Sequence, residues 1–423
     1  YEAGIALNPA LAPAARQGDG PLLWFGLFDG FELVEASNWL PAPEGSFASV
    51  PVPRIAAHDY LAAATQVRDH LFAGDFYQAN LTFGCDLRLA GDPLALYARL
   101  RGAGGGGWGG VVCHPSGMLL SLSPEQFFTL RDGTIEARPM KGTLPLSEPE
   151  AALRDDPKSR AENLMIVDLL RNDLARVAEP GSVAVPELFR VETYPTLRQM
   201  VSRVTARLRP GLDAVDVLRT IFPCGSVTGA PKVQAMKVIK ALESSPRGVY
   251  CGAVGVVRPV EGSGLHATFN VPIRTVTARA RVLRCSTGSG ITADATAAGE
   301  WREWQHKRAF VERASQSFEL LETLALVNGQ YRHAPLHLAR LASAAAHFGF
   351  AETHDVNDAA VHALADLATR CPEGAWRVRL LLDVRGQARA EAFALPESPA
   401  QVQLQLADRP LLEAHSEFTR FKT

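Results

Sequence analysis

Asp155-Asp156-Pro157-Lys158-Ser159-Arg160-Ala161-Glu162-Asn163-Leu164-Met165-Ile166-Val167-Asp168-Leu169-Leu170-Arg171-Asn172-Asp173-Leu174-Ala175-Arg176-Val177 carries a single clear period. Leu164, Val167, Leu170, Leu174 and Val177 recur at helical spacing, Asp156 is placed to cap the first turn, and Pro157 suits its first position. Pro180-Gly181 then stops the helix. Upstream, short apolar runs such as Leu22-Leu23-Trp24-Phe25 and Met118-Leu119-Leu120 alternate with Pro/Gly punctuation and with a helix-like stretch from Tyr60 to Phe72. Further helices are expected from about Pro231 to Leu242 and from Ala297 to Val311. This mixture predicts an α+β fold.

A polar stretch at Ser315-Gln316-Ser317 marks the expected domain boundary, giving residues 1–313 and 317–423. Beyond it, Phe318 to Val327, Asn328-Gly329 and Gln330-Tyr331 read as strand, turn and strand, followed by a helix from Pro335 to His347. The chain begins at Tyr1 and ends at Thr423 inside what reads as continuing structure, so both ends are expected to be cut.

With 43 Lys+Arg against 45 Asp+Glu, a formal net charge of -2 and no Lys/Arg-rich run, the chain offers no long-range field for nucleic acid. No apolar run reaches the roughly 18 residues of a membrane span. The 6 cysteines form no C-x-x-C pair, which fits a reducing compartment, with the cytoplasm as default.

Three groups of residues could carry chemistry. Pro223-Cys224-Gly225-Ser226-Val227-Thr228-Gly229-Ala230-Pro231-Lys232 leads into a helix whose first residues would be Ala230 or Pro231. Its backbone N–H groups suit a carboxylate or phosphate, or serve as plain capping; spacing alone leaves both open. Glu300, Glu303 and Lys307 sit at i, i+3 and i+7 of one helix face, either a solvated stripe or, if Glu162 converges on them, a hard-cation site of the magnesium kind. Lys141 stands between backbone-restricting residues in Arg138-Pro139-Met140-Lys141-Gly142-Thr143. The Gly102 to Gly110 run contains a nominal G-x-G-x-x-G but follows a helix instead of a strand, so it reads as a loop.

Taken in order, Gly74-Asp75-Phe76-Tyr77-Gln78-Ala79-Asn80-Leu81, Ser123-Pro124-Glu125-Gln126-Phe127, Pro139 to Thr143, Arg160 to Asp173, Phe222 to Lys232 and Ile273-Arg274-Thr275 resemble the chorismate-utilising enzymes, in the branch that forms 4-amino-4-deoxychorismate. The resemblance covers roughly residues 1–313. It implies a layered α+β fold, antiparallel sheets packed centrally and helices outside, around a deep cleft for the dianion chorismate. It further implies magnesium on Glu162 and Glu303 with Glu300 close by, and carboxylate contacts from Arg274, Lys307, Tyr250 and the Gly288-Ser289-Gly290 backbone. Thr228 and Gly229 would line the cleft. Gln78 stands where the family's water-activating enzymes carry lysine, which implies an amine nucleophile, and Lys141 stands where anthranilate synthases carry alanine. In this branch that lysine is thought to attack the ring before ammonia resolves the adduct, with Glu125 as proton donor or acceptor. Gln199 replaces a histidine found in many relatives. Ammonia would come from a separate glutamine amidotransferase partner.

Residues 317–423 resemble the first half of a pyridoxal-phosphate lyase of the class IV aminotransferase fold type, through Phe318-Glu319-Leu320-Leu321-Glu322-Thr323, His337-Leu338-Ala339-Arg340-Leu341 and Phe421-Lys422-Thr423. The resemblance implies Arg340 on the cofactor phosphate and Lys422 as the Schiff-base lysine, with the other half of the site missing, so that this polypeptide holds the cofactor poorly. Such a fusion would carry the aminated product on to 4-aminobenzoate, a folate precursor. The rival readings are an anthranilate synthase large component and a non-catalytic chorismate-binding scaffold.

Overall fold

The computed structural model describes residues 1–14, 20–104, 107–194, 197–260, 264–312, 318–348, 350 and 353–395. The expected boundary at Ser315 to Ser317 and the expected Schiff-base residue Lys422 lie outside them. All strand pairing is antiparallel and falls into three sheets. The first follows the path Ser46–Ala48, Gln78–Gly91, Val282–Ile291, Thr275–Arg279, Gly117–Ser121, Gly110–His114. The second runs Val254–Val260, Gly264–Asn270, Gln126–Arg131, Thr134–Arg138, Leu197–Arg207, Met140–Pro145, with Ala184–Thr193 also paired to Leu197–Arg207. The third contains Gln330–Tyr331, Leu320–Val327, Ala375–Leu382 and Ala388–Ala394.

Helices Ala57–Phe72 and Ala297–Glu312 pack together over the first sheet through Tyr60, Val67, Trp304 and Val311, all buried against Leu81, Phe83 and Leu283. The Pro157–Ala175 helix covers the second sheet. Its N-terminus forms as expected, because the Asp156 carboxylate accepts the Ser159 N–H at 2.7 Å and satisfies one of the first turn's free donors. The buried face is Asn163, Ile166, Val167, Leu170, Asp173 and Leu174. Leu164, expected on that stripe, is 43% exposed, since the face that meets the sheet is turned by about one residue and Ile166 and Val167 share the contact.

The other helices fall close to expectation, at Ala297–Glu312 and Ala334–Phe348, but the third starts later, at Lys232. Gly229 and Ala230 are drawn into a two-residue strand against Ala79 and Gln78, which keeps the backbone extended up to Pro231. Of the glycine run, Gly102 and Gly104 end the Pro93–Gly104 helix and Gly110 opens the Gly110–His114 strand, while Gly105 and Gly106 lie outside the described residues. The apolar run at Leu22 to Phe25 lies in no strand and is largely exposed.

The third sheet and its two helices share a core with the first unit. Phe47 and Ala90 sit among Leu320, Leu324, Leu341 and Phe348, and Phe47 meets the rings of Phe318 and Phe348 edge-on at 4.9 and 5.3 Å.

Candidate active site

Two strands of the first sheet and one of the second bring the predicted residues together. Gln78 opens the strand Gln78–Gly91, and Gly290 lies on its partner Val282–Ile291, beside Asn80 in the ladder. Lys141 comes from the strand Met140–Pro145. A Cβ built on Gly290 would stand 3.0 Å from Gln78 Nε2 and 3.4 Å from Lys141 Nζ, so the glycine leaves room for both heads. Gln78 is 1% exposed and both its amide atoms lack a protein partner. A buried amide in that condition is a costly feature unless something else meets it.

The charge on Lys141 is contested. Burial pushes its ammonium below the usual lysine range; Glu162 opposes that, Lys307 adds to it, and Glu125 and Glu303 oppose it again. Glu162 of the Pro157–Ala175 helix and Glu303 of the Ala297–Glu312 helix thus both bear on the Lys141 charge from separate elements. Gly142 contributes to this: it turns with φ +77, and a Cβ on it would lie 2.6 Å from Ser159 Oγ, so the Lys141 strand runs hard against the start of the Glu162 helix.

Glu300 is 6% exposed with Oε2 unpartnered. Burial, then the neighbouring Glu303, hold its carboxyl above the usual range. For Glu303 burial acts the same way, but Lys307 at 2.7 Å outweighs it, aided by Lys141 and Lys158, and the net direction is down. Lys307 Nζ also donates to the Gly288 carbonyl at 3.1 Å. Lys158 stands 3.9 Å from Glu162.

Glu125 is 5% exposed; burial pushes its carboxyl up, against the Ser226 hydroxyl at 2.7 Å and the charges of Lys141 and Lys307. Arg274 holds φ +48, the left-handed region that a long side chain rarely adopts, while its carbonyl accepts the Leu122 N–H at 3.1 Å. Tyr250 is buried, its phenol accepting the Gly288 N–H and held well above the usual tyrosine range by burial. Gln199 pairs with Thr143 in the ladder beside the Lys141 strand, next to a register shift.

The glycine-and-hydroxyl loop is spent on its own structure. The Val227 and Thr228 N–H groups reach the Cys224 and Gly225 carbonyls, and the buried Thr228 hydroxyl donates to Cys224 O at 3.0 Å. Lys232 Nζ ties the loop to Asp173 at 2.9 Å and to the Ile221 carbonyl at 3.0 Å. Of the two readings left open above, capping is not what the geometry shows: Pro231 stands at the N-cap of the Lys232 helix without a side-chain cap, and the loop's bonds close its own turn. Gly229 is required for contact: a Cβ there would lie 2.2 Å from the Gln78 carbonyl.

Two residues escaped the sequence reading. The Tyr60 hydroxyl lies 2.8 Å from Ser289 Oγ, a buried pair that fixes Ser289 behind Glu300. Ser226 holds Glu125, as above.

The donors suit magnesium. Among the described residues no three His, Cys, Asp or Glu side chains form a cage. Magnesium does not demand one, because it is commonly held by one or two carboxylates plus substrate and water. Glu162 and Glu303 supply such a pair, and the orphaned Glu300 oxygen lies on the same helix face. Pyridoxal phosphate finds no comparable set. Arg340 is held by the buried Glu322, through Nε at 2.6 Å and Nη2 at 2.5 Å, with His337 Nδ1 at 2.7 Å on the same carboxylate. The described residues do not make up that cofactor's site.

The scaffold is antiparallel α+β, with a partly buried amine at Lys141 and the raised carboxyls of Glu125 and Glu300 drawn from separate elements. The profile of the family described as chorismate binding enzyme matches residues 29–313, and the chain belongs to that family. It is 46% identical over 245 residues to aminodeoxychorismate synthase component 1 of Klebsiella aerogenes, covering 56% of this chain and 53% of that protein. It is 37% identical over 264 residues to anthranilate synthase component 1 of Methanothermobacter thermautotrophicus, covering 61% and 56%. This chain thus spans little more than half the length of these curated relatives. Among solved structures, anthranilate synthase component I from Streptococcus pneumoniae TIGR4 superposes with a TM-score of 0.56 at 29% identity, covering 65% of this chain and 63% of that one. Among the described residues no helix is long and apolar enough to cross a membrane.

Proposed function

We propose that this chain aminates chorismate at C4, giving 4-amino-4-deoxychorismate, with Lys141 as nucleophile. The observation that carries the reading is the Lys141 amine, depressed by burial and set beside Gln78 over Gly290. An ammonium cannot attack; a lysine whose charged form is disfavoured can. The neutral amine adds at C2, the ring double bonds shift, and the C4–O bond breaks. Glu125, whose protonated form burial favours, gives its proton to the departing hydroxyl, which leaves as water. Ammonia then adds at C4, the double bonds shift back, and the C2–N bond to Lys141 breaks. Gln78 offers an amide where attack by water would need a base, and Arg274, Tyr250 and the Gly288 to Gly290 backbone orient the carboxylates. Glu162 and Glu303, with Glu300 beside them, would hold magnesium, which when bound would supply positive charge to offset the substrate's carboxylates.

The likeness to a component 1 protein supports a glutamine amidotransferase partner as the source of ammonia. The His337-Leu338-Ala339-Arg340-Leu341 match supports reading residues 318–395 as the start of a lyase-like module requiring pyridoxal phosphate from a fuller site.

The test is product chromatography with chorismate, magnesium and ammonium. Lys141→Ala is expected to lose 4-amino-4-deoxychorismate, and an unchanged yield would remove the covalent step. A second reading, anthranilate formation, rests on the identity to anthranilate synthases; a fluorescent anthranilate product from the unaltered chain would favour it.

A further inference from the structure

Glu125 carries one contact that the chemistry above leaves unused. Ser226 Oγ lies 2.7 Å from Glu125 Oε1 and 3.2 Å from Cys224 Sγ, all three buried. A hydroxyl has one proton and can also accept, so it can face these neighbours in two ways. When Glu125 is a carboxylate, Ser226 donates to it and accepts from the Cys224 S–H. When Glu125 is protonated, its O–H donates to Ser226, and the Ser226 proton turns to the Cys224 sulfur. Both arrangements keep the Glu125–Ser226 and Ser226–Cys224 hydrogen bonds at the same heavy-atom positions.

We propose that Ser226 is a positioning residue for Glu125, reversing its hydrogen bonds as Glu125 loses and regains its proton, with the Cys224 thiol as the partner that completes either state. No net proton leaves Ser226; the proton given to the substrate comes from Glu125 alone. The inference rests on the role given to Glu125 above. The other charged or titratable groups facing that carboxyl are Lys141 from the Met140–Pro145 strand, Lys307 from the Ala297–Glu312 helix, and the Cys224 and Cys251 thiols. Burial pushes the Cys224 thiol up to about 12, so it keeps the proton that the first arrangement needs. Lys141 and Lys307 do not touch Ser226 in any hydrogen bond found in the structure, which leaves the hydroxyl's orientation to Glu125 and Cys224.

The test uses the full chain in two measurements. The infrared band of the protonated Glu125 carboxyl, identified by its loss in Glu125→Gln, is titrated without ligand. Ser226→Ala is expected to raise the midpoint by about one to two pH units, because a hydrogen bond to the charged form is lost. Ser226→Thr is expected to restore it. Cys224→Ala is expected to move the midpoint the other way, since Ser226 then lacks an acceptor only when Glu125 is protonated. A Ser226→Ala midpoint equal to that of the unaltered chain, or shifts of the same sign in Ser226→Ala and Cys224→Ala, would overturn the proposal. In turnover with chorismate and ammonium, Ser226→Ala is expected to lose on the order of tenfold in kcat with KM little changed. Infrared shifts as expected in a chain that forms no aminated product would sink the reading of function while upholding the hydrogen-bond pair; product without the shifts would sink the pair alone.

Discussion

At the scale of single residues, desolvation shifts a buried carboxyl, Glu125, and a partly buried amine, Lys141, away from their charged forms. The Glu125 carboxyl is raised, first by burial, so its contribution to folding is full below the pH where an unfolded glutamate ionises and is lost as pH rises through the folded value. Glu125→Gln is therefore expected to melt higher than the unaltered chain near neutral pH, on the order of a few degrees, with the gap closing on acidification. A calorimetric series across pH reads this directly, and a constant gap at every pH would contradict it. Lys141, Glu162, Glu300 and Glu303 were legible through the ordered resemblance to chorismate-utilising enzymes and not through local pattern, since spacing alone left the acids as a possible solvated stripe and Lys141 as an ordinary lysine. Ser226 and Tyr60 were not legible. Their partners lie 101 and 229 positions away along the chain, and no local pattern encodes such a distance.

At the scale of elements, the place of Lys141 depends on how the strand that carries it turns. Gly142 adopts φ +77 directly after Lys141 and packs against Ser159, at the start of the helix that bears Glu162. Gly142→Ala adds a methyl where 2.6 Å separates it from Ser159 Oγ and places an L side chain in the left-handed region, at a cost of about 1–2 kcal/mol from the backbone alone. The expected result is a folded protein of lower stability in a denaturant titration, with kcat reduced more than KM. Helices were read well because period and caps are local signals; the Pro157–Ala175 helix and its Asp156 cap came out as written in the sequence. The late start at Lys232 was missed because strand pairing with Gln78 and Ala79, a tertiary contact, overrides the helix signal of Ala230-Pro231.

At the scale of the whole molecule, the two units expected from the polar stretch near residue 315 are less separate than their sequences imply. Phe47, from the first sheet's outermost strand, is 2% exposed within the core of the Leu320–Val327 sheet. Phe47→Ala is expected to cost about 3–5 kcal/mol, and its effect should appear as faster amide exchange across residues 320–382 with little change around Lys141. Protection that falls evenly through both units, or not at all in the second, would argue against a shared core. Composition could mark the expected polar boundary but not the docking, since a lone phenylalanine in a short strand looks like any other. For protein engineering, then, a gene cut near residue 312 would leave Phe47 and Ala90 as a greasy knob on the flank of the first unit. Such a fragment would be expected to clump unless a soluble side chain were placed at position 47 first.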